Sequence, residues 1–241
     1  MVRGIKLIID PDLRQFVIVP VAANLIIFII LTYFFVQFLS GAHQSLLAFL
    51  PEWLSFLAHL LWVLIFLLFL LLYGYGFTLI TNLIAAPFYG ILSEKVESKL
   101  TGKALEGEPL NAMIPRVIGR EINKLCYSVA SGILVFLGLT VLTFIPVLNV
   151  AVPLLGMLWG SWVMAVQYVD YPADNHQVPF IQLRQQLSEQ KWGSLGLGGC
   201  ILFGSTVPII NIFIAPAAVA ASTIYWLEHV KQVDKIEKKY P

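Results

Sequence analysis

Three basic residues recur at four-residue intervals in one short segment of the chain. Arg116, Arg120 and Lys124 stand in the sequence PRVIGREINK, and this spacing places their side chains on one face of a helix that Pro115 can begin. Glu121 lies three residues before Lys124, which predicts an ion pair along the same helix. Such a stripe of bases suits a soluble anion, and it also suits the phosphates of membrane lipids. Spacing alone leaves both interpretations open.

A second basic site lies near the N-terminus, in the segment Asp10-Pro11-Asp12-Leu13-Arg14. Asp followed by Pro is typical of a helix cap and a first helical residue, so the pattern predicts a helix that begins at Pro11. A helix start offers free backbone N–H groups and about half a positive charge, which suit a sulfate or phosphate, and Arg14 adds further donors. Alternatively, Arg14 extends from the end of a membrane span to the lipid headgroups, and Asp12 competes for the helix-start amides.

Enzyme chemistry finds little support in the chain. Asp170, Asp174 and His176 could be drawn as a metal-binding trio, but they stand in DYPADNHQVP, a Pro-flanked loop in which Asp and Asn commonly make turn hydrogen bonds. The sequence contains no Gly-x-Ser-x-Gly, no His-Glu-x-x-His, no Walker loop and no dinucleotide glycine pattern. We therefore expect no metal, no cofactor and no enzymatic activity.

The elements that position these residues follow from the distribution of charge. Hydrophobic residues make up 59% of the 241 and charged residues only 12%, whereas an average soluble domain is about a quarter charged. No Asp, Glu, Lys or Arg occurs in 15–51, 53–93, 125–169 or 192–227. A charge at the centre of a bilayer costs roughly 2.5–3.5 kcal/mol, so these windows indicate a polytopic, all-α membrane protein with a single membrane domain, 1–241.

The pattern divides the chain into membrane and surface segments. Each long apolar run exceeds the ~20 residues that cross a bilayer, and the second must tilt or project beyond it. Gly102, Gly107 and Pro109 are expected to break the polar region into two short helical pieces. The predicted segments are an amphipathic surface segment at 1–14, long transmembrane helices at 15–39 and 54–88, cytoplasmic polar helices at 93–124 and a cytoplasmic tail at 228–241.

The last two apolar runs, 125–169 and 192–227, share an interruption. Each contains Pro-x-x-Asn and then a second Pro, and proline removes a helical hydrogen bond and clashes with the preceding turn. We predict two helical hairpins that turn at these sites and enter the membrane only part-way, which favours oligomerisation because irregular backbone at membrane depth must be packed in protein. The pattern is also consistent with a weak internal repeat of the interrupted-helix type, or with two simple tight turns. The turn residues are Pro146, Asn149, Pro153, Pro208, Asn211 and Pro216.

The 15 Lys and Arg residues fall in the terminal segments and in the polar regions 93–124 and 183–191, with none in 40–53. Because basic loops stay in the cytoplasm, both termini and both polar regions are predicted to be cytoplasmic and 40–53 external. No basic cluster is interleaved with aromatic residues, so we expect no nucleic-acid partner.

Three stretches carry a resemblance to a known family. AVQYVDYPADNHQVPF at 165–180, the IAAPFYG…E…KLTG region at 84–102 and PRVIGREINK at 115–124 resemble the CysZ family of bacterial inner-membrane sulfate permeases, and the similarity covers nearly the whole chain. The resemblance implies long transmembrane helices combined with partly inserted helix pairs. It also implies a homo-oligomer built from dimers, with a hexamer as one candidate, and sulfate and membrane lipids as partners.

The resemblance also implies site residues. The family's sulfate-binding Gly-Leu-Arg motif with a second Arg aligns with Asp12, Leu13, Arg14 and Gln15, where Leu13 and Arg14 match, Asp12 replaces the glycine and Gln15 replaces the second arginine. The family's candidate pore lining aligns with Arg116, Arg120, Glu121 and Lys124.

The function implied is sulfate uptake across the bacterial inner membrane for cysteine biosynthesis, without ATP hydrolysis, by a channel-like or proton-coupled mechanism. The alternative is a membrane scaffold that binds anionic lipid and transports nothing.

Overall fold

Long helices make up the part of the chain that the computed structural model describes, which is residues 2–8, 10–49, 55–103 and 108–231. No strand occurs in these ranges, which confirms the all-α prediction. The α-helices are α1 (Val2–Ile8), α2 (Pro11–Phe49), α3 (Ser55–Thr101), α4 (Leu110–Thr143), α5 (Val152–Asn175), α6 (Phe180–Glu189), α7 (Lys191–Ser205) and α8 (Pro208–Tyr225). A short 3-10 helix, Leu148–Ala151, precedes α5, and a π-helical turn, Trp226–Val230, continues α8.

The chain divides into two compact units, one formed by Pro20–Ala85 and the other by Met1–Val19 together with Ala86–Pro241. Within Pro20–Ala85, α2 and α3 run antiparallel and pair through aromatic and hydroxyl groups. Thr32 and Tyr73 share a hydrogen bond of 2.7 Å between their hydroxyls, and the Phe35 ring stacks on Tyr73 with 4.6 Å between centroids. The other faces of both helices expose large apolar side chains, as expected of helices that contact lipid.

Two predicted segment boundaries differ from the structure. Residues 40–49, expected in an external loop, continue α2, because the first proline after the apolar run is Pro51 and Gly41 alone does not end a helix. The polar region 93–124 does not form separate short helices: α3 extends to Thr101 and α4 starts at Leu110. The predicted break itself is present, since Gly102 adopts φ 70° directly after α3, a conformation that glycine reaches without steric cost.

The first hairpin consists of α4 and α5 and turns near the predicted site. Helix α4 ends at Thr143, Pro146 lies in the turn, Asn149 lies in the 3-10 helix, and Pro153 is the second residue of α5. The two helices run antiparallel, and the Trp162 indole N–H donates to the Tyr127 hydroxyl at 2.9 Å across the pair. The sequence pattern thus located this turn to within a few residues.

The second hairpin consists of α7 and α8, and here the predicted turn residues need correction. The turn lies at 206–207, Pro208 is the first residue of α8, Asn211 follows in the first helical turn, and Pro216 lies inside the helix. A proline is well suited to the first helical position because its missing N–H would have no helical partner there. Pro216 removes a single hydrogen bond and does not end α8.

Within the residues that the structure describes, three helical stretches are long and apolar enough to cross a membrane: Ile18–Ala42, Asn111–Thr143 and Leu148–Asn175. A shorter apolar stretch, His59–Gly74, lies in α3. The arms of the first hairpin are longer than the apolar window 125–169 suggested, because α4 begins before it and α5 ends after it. By contrast, α7 has only 15 residues, fewer than the ~20 needed for a crossing.

Candidate ion-pair site

The predicted basic stripe lies on the face of α4 that packs against α5. Arg120 donates from Nε and Nη2 to Oδ1 of Asp170, at 2.9 and 2.7 Å, and from Nη1 to the backbone oxygen of Val178 at 2.6 Å. Its guanidinium also lies 5.8 Å from the centre of the Phe180 ring. Four-residue spacing on both antiparallel helices places base opposite acid, so the hairpin is joined by charge at its open end.

Arg116 occupies the next position of the stripe towards the start of α4. Its Nη1 forms an ion pair with the Asp174 carboxylate and also donates to the Asp174 backbone oxygen at 3.0 Å. Its Nε and Nη2 both donate to Oε2 of Glu108, at 3.0 and 2.8 Å. All of its donor nitrogens are thus turned towards carboxylate or carbonyl oxygens of the protein itself.

Lys124 completes the stripe and is almost fully buried, with 2% of its side chain exposed. It pairs with Glu121, which confirms the ion pair predicted from their spacing, and its Nζ lies 3.3 Å from Oδ2 of Asp170. The ammonium also lies 4.4 Å from the centre of the Tyr171 ring, a cation–π contact. Gln167 donates to Glu121 at 3.4 Å and so extends the polar contacts along α5.

The three cations of the stripe therefore face four carboxylates. We call this group the ion-pair site; its members are Arg116, Arg120, Lys124, Glu108, Glu121, Asp170 and Asp174. With every group ionised its formal charge is three minus four, or −1. The structure thus places the predicted anion-path residues together but already neutralised, so an external anion has to compete with internal carboxylates for the same donors.

The acidic partners lie in a helix and not in the loop that the sequence predicts. The sequence pattern favours Asp170 and Asp174 as turn residues, but α5 continues through Pro172 to Asn175. Both aspartates are engaged by the cations of α4, and among the described residues no group of three or more His, Cys, Asp or Glu is arranged to hold a metal ion. The signal that could have found the pairing is the four-residue spacing of the two acids, which matches that of the bases.

His176, the third member of that trio, lies in a separate cluster. Its Nε2 lies 3.0 and 2.9 Å from the two carboxylate oxygens of Glu97 on α3, and Lys231 donates to Oε1 of Glu97 at 2.9 Å. Burial opposes the ionisation of Glu97, but the hydrogen bonds from His176 and Lys231 outweigh it and hold the pKa of that carboxyl below its ordinary value. The cluster ties α3, the end of α5 and the end of the chain's described part together.

The predicted N-terminal anion site is described only in part. Helix α2 begins at Pro11 as predicted, but the Leu13 amide donates to the Asp10 backbone oxygen at 3.0 Å, so this helix-start amide is already used. The Leu13 side chain is buried and Gln15 is exposed. The side chains of Asp12 and Arg14 lie outside the described part of the structure.

Comparisons with known proteins agree with the sequence resemblance. Residues 1–216 match the family described as Sulfate transporter CysZ/Etoposide-induced protein 2.4. Proteins named Sulfate transporter CysZ are similar over most of their length: one from Pseudomonas fluorescens Pf0-1 is 42% identical, covering 93% of this chain and 90% of its own. One from Pseudomonas syringae pv. tomato is 41% identical, covering 93% and 89%, and one from Vibrio parahaemolyticus is 37% identical, covering 95% and 92%. Because it resembles these named transporters over more than nine tenths of its length, the chain belongs to the CysZ sulfate transporter family.

Proposed function

We propose that this protein carries sulfate across the bacterial inner membrane and so supplies sulfur for cysteine biosynthesis. The observation that carries the proposal is the similarity, over more than nine tenths of the chain, to proteins named as sulfate transporters. In the described part of the chain, three helices of sufficient length and apolarity to cross a bilayer support a transport role. Both termini are cytoplasmic in this proposal, and the α7–α8 hairpin enters the bilayer only part-way. The α4–α5 hairpin is also predicted from the sequence to enter part-way, but its arms are long enough to cross the bilayer.

The proposed anion path includes Arg116, Arg120, Glu121 and Lys124. Guanidinium and ammonium groups are the donors that recognise oxyanions, and α4 brings three of them to one face. Asp12, Leu13, Arg14 and Gln15 form the proposed first contact for sulfate at the start of α2. When no sulfate is bound, the cations of α4 make their hydrogen bonds to the carboxylates of the ion-pair site rather than to water.

The membrane potential limits the mechanisms by which sulfate can be taken up. Moving a dianion inward against a membrane potential of about 100 mV, negative inside, costs roughly 4.6 kcal/mol. Since the sequence has no ATP-binding loop, net uptake depends on consumption of sulfate in the cell or on coupling to protons. In the proton-coupled form Glu121 is the candidate titratable group, because it is the one carboxylate among the four proposed anion-path residues.

The test is flux of labelled sulfate into proteoliposomes that contain the pure protein, with and without an imposed pH gradient. We expect uptake by the native protein and reduced uptake by Arg120→Ala and Arg14→Ala at normal protein yield. Equal flux in these variants and the native protein would favour the interpretation in which the basic stripe binds lipid phosphates. No flux in the native protein would favour the lipid-binding scaffold. Glu121→Gln should abolish any pH dependence of uptake in the proton-coupled form.

A further inference from the structure

Exposure falls steadily along the ion-pair site. The exposed side-chain fraction is 27% for Arg116, 12% for Arg120 and 2% for Lys124, and it is 9% for Asp174 but 1% for Asp170. The site is therefore accessible from the end that holds Arg116 and Asp174. An anion that approaches the stripe meets this end first.

The two aspartates are held unequally. Asp170 receives two hydrogen bonds from Arg120 and lies within 3.3 Å of the Lys124 ammonium, so two cations fix it in the interior. Asp174 has one close partner, Arg116, and its second cation, Nη1 of Arg120, is 3.7 Å away. Asp174 is thus the carboxylate that can leave with the smaller loss of contacts.

Asp174 also has the chemistry of the proposed substrate. One Asp174 carboxylate oxygen pairs with Nη1 of Arg116 and the other faces Nη1 of Arg120, and two oxygens of a tetrahedral oxyanion can accept from the same two guanidinium groups. The carboxylate and the oxyanion cannot both occupy these two donors at once. We propose that the Asp174 carboxylate occupies the place at which sulfate contacts Arg116 and Arg120, and that sulfate binds there by displacing it. This inference rests on the proposed function and adds a residue that sets the affinity.

The arrangement has a physical consequence for transport. A displaced carboxylate remains near the bound dianion and repels it, which keeps binding weak enough for release. At the same time, Asp174 compensates Arg116 and Arg120 when no sulfate is present, so the cations are not left as uncompensated charges in the protein. Asp170, which stays in place, preserves the α4–α5 contact during the exchange.

The direct test is equilibrium binding of labelled sulfate to the purified, full-length protein. Asp174→Asn removes the competing charge but keeps the side-chain shape, and we expect its dissociation constant for sulfate to fall about tenfold, because close like charges cost at least the ~1.4 kcal/mol that a tenfold change represents. Glu228→Gln is the matched control, since it removes the same charge from an exposed carboxylate paired with Arg3. It should bind sulfate as the native protein does. Equal or weaker binding by Asp174→Asn overturns the inference.

A measurement on the native protein covers the case in which Asp174→Asn does not fold. Carbodiimide modification of each aspartate, followed by peptide mass spectrometry, reports which carboxylates are accessible. Saturating sulfate should increase the modification of Asp174 and leave that of Asp170 unchanged. No increase at Asp174 overturns the inference, as does an increase that requires phosphatidylglycerol instead of sulfate, which would assign the donors to lipid headgroups.

The outcomes for the inference and for the proposed function are separate. If the native protein transports sulfate but Asp174 neither competes with it nor becomes more reactive in its presence, only the displacement inference fails. If the native protein carries no sulfate in the flux assay, the proposed function fails, whatever the aspartate does.

Discussion

The two helical hairpins of this protein are joined by opposite kinds of contact. The first, α4–α5, has arms of 34 and 24 residues, and charged side chains join it at its open end through Arg120 and Asp170. The second, α7–α8, has arms of 15 and 18 residues, and glycines allow its helices to touch. A Cβ added to Gly204 would lie 2.5 Å from a methyl carbon of Ile214.

This difference indicates which hairpin can change its contacts when an ion binds. Ion pairs persist only while both partners stay, and another ion can replace one of them, so the first hairpin has donors that can exchange an internal anion for an external one. Close packing at a glycine cannot be replaced by another ion in this way, because moving the two helices apart leaves an empty space between them. We therefore expect the first hairpin to respond to ions and protons and the second to respond to side-chain volume.

The largest effect is expected from breaking the charged contact of the first hairpin. Asp170→Ala leaves Lys124 and Arg120 without their shared carboxylate, and loss of one partner from a buried ion pair costs about 3–5 kcal/mol. We expect a marked drop in the thermal unfolding midpoint of the purified protein in detergent. Glu228→Ala, which breaks the exposed pair with Arg3, should leave that midpoint almost unchanged. Equal unfolding midpoints for Asp170→Ala and the native protein would show that the buried ion pairs of Asp170 do not stabilise the fold.

The second prediction concerns side-chain volume at the contact between α7 and α5. A Cβ at Gly198 would lie 1.8 Å from the Ser161 backbone oxygen, so Gly198→Ala must push the helices apart and should cost about 1–3 kcal/mol or more. The matched control is Gly196→Ala on the same helix, where an added Cβ meets nothing within 4 Å. Thermal unfolding of both variants, compared with the native protein, measures the effect. A loss of stability in Gly196→Ala as large as that in Gly198→Ala would contradict the packing explanation, because alanine is the better helix former and no atom opposes the added Cβ at Gly196.

The third prediction is a pH dependence at the cluster formed by Glu97, His176 and Lys231, which ties α3 to the end of α5 and to the residue after the π-helical turn. The hydrogen bonds from His176 and Lys231 hold the folded pKa of Glu97 below its unfolded value, so the stabilisation is complete above the unfolded pKa and is lost as the pH falls through the folded pKa. Acid unfolding, followed by circular dichroism, should therefore show a steeper loss of stability in the native protein than in Glu97→Gln.

The control for that measurement is Glu94→Gln, which changes a carboxylate on the same helix for which the described part shows no ion pair. Its acid unfolding should follow that of the native protein. If Glu97→Gln and Glu94→Gln have the same acid dependence as the native protein, the hydrogen bonds from His176 and Lys231 do not stabilise the fold.

The smallest effect is expected at the uncharged contact of the first hairpin. Tyr127→Phe removes the acceptor of the Trp162 indole N–H, and hydrogen bonds between membrane helices average about 0.6 kcal/mol. The unfolding midpoint should fall slightly, by far less than in Asp170→Ala. A loss as large as that of Asp170→Ala would mean that the hairpin is held by its aromatic contacts and not by its ion pairs.

Much of the fold follows from local patterns, but not every departure from the predicted fold has a local cause. The turn near Pro146 and the start of α2 at Pro11 were predicted because proline and its neighbours restrict the backbone wherever they occur. The sequence predicts a turn at Pro216, which lies inside α8, because proline inside a helix and proline at a turn look alike in sequence. The extension of α5 through Pro172 depends on packing against α4, which no local pattern reveals.

The sequence by itself determined the membrane character, the helical periodicity and the single face shared by Arg116, Arg120 and Lys124, because composition and spacing fix these properties within one helix. It did not determine whether those cations are free. Only the tertiary structure decided that, by setting α5 antiparallel to α4 so that Asp170 and Asp174, about 50 residues away, neutralise the stripe. The physical reason is that an ion pair depends on distance in space, which spacing along one helix cannot supply.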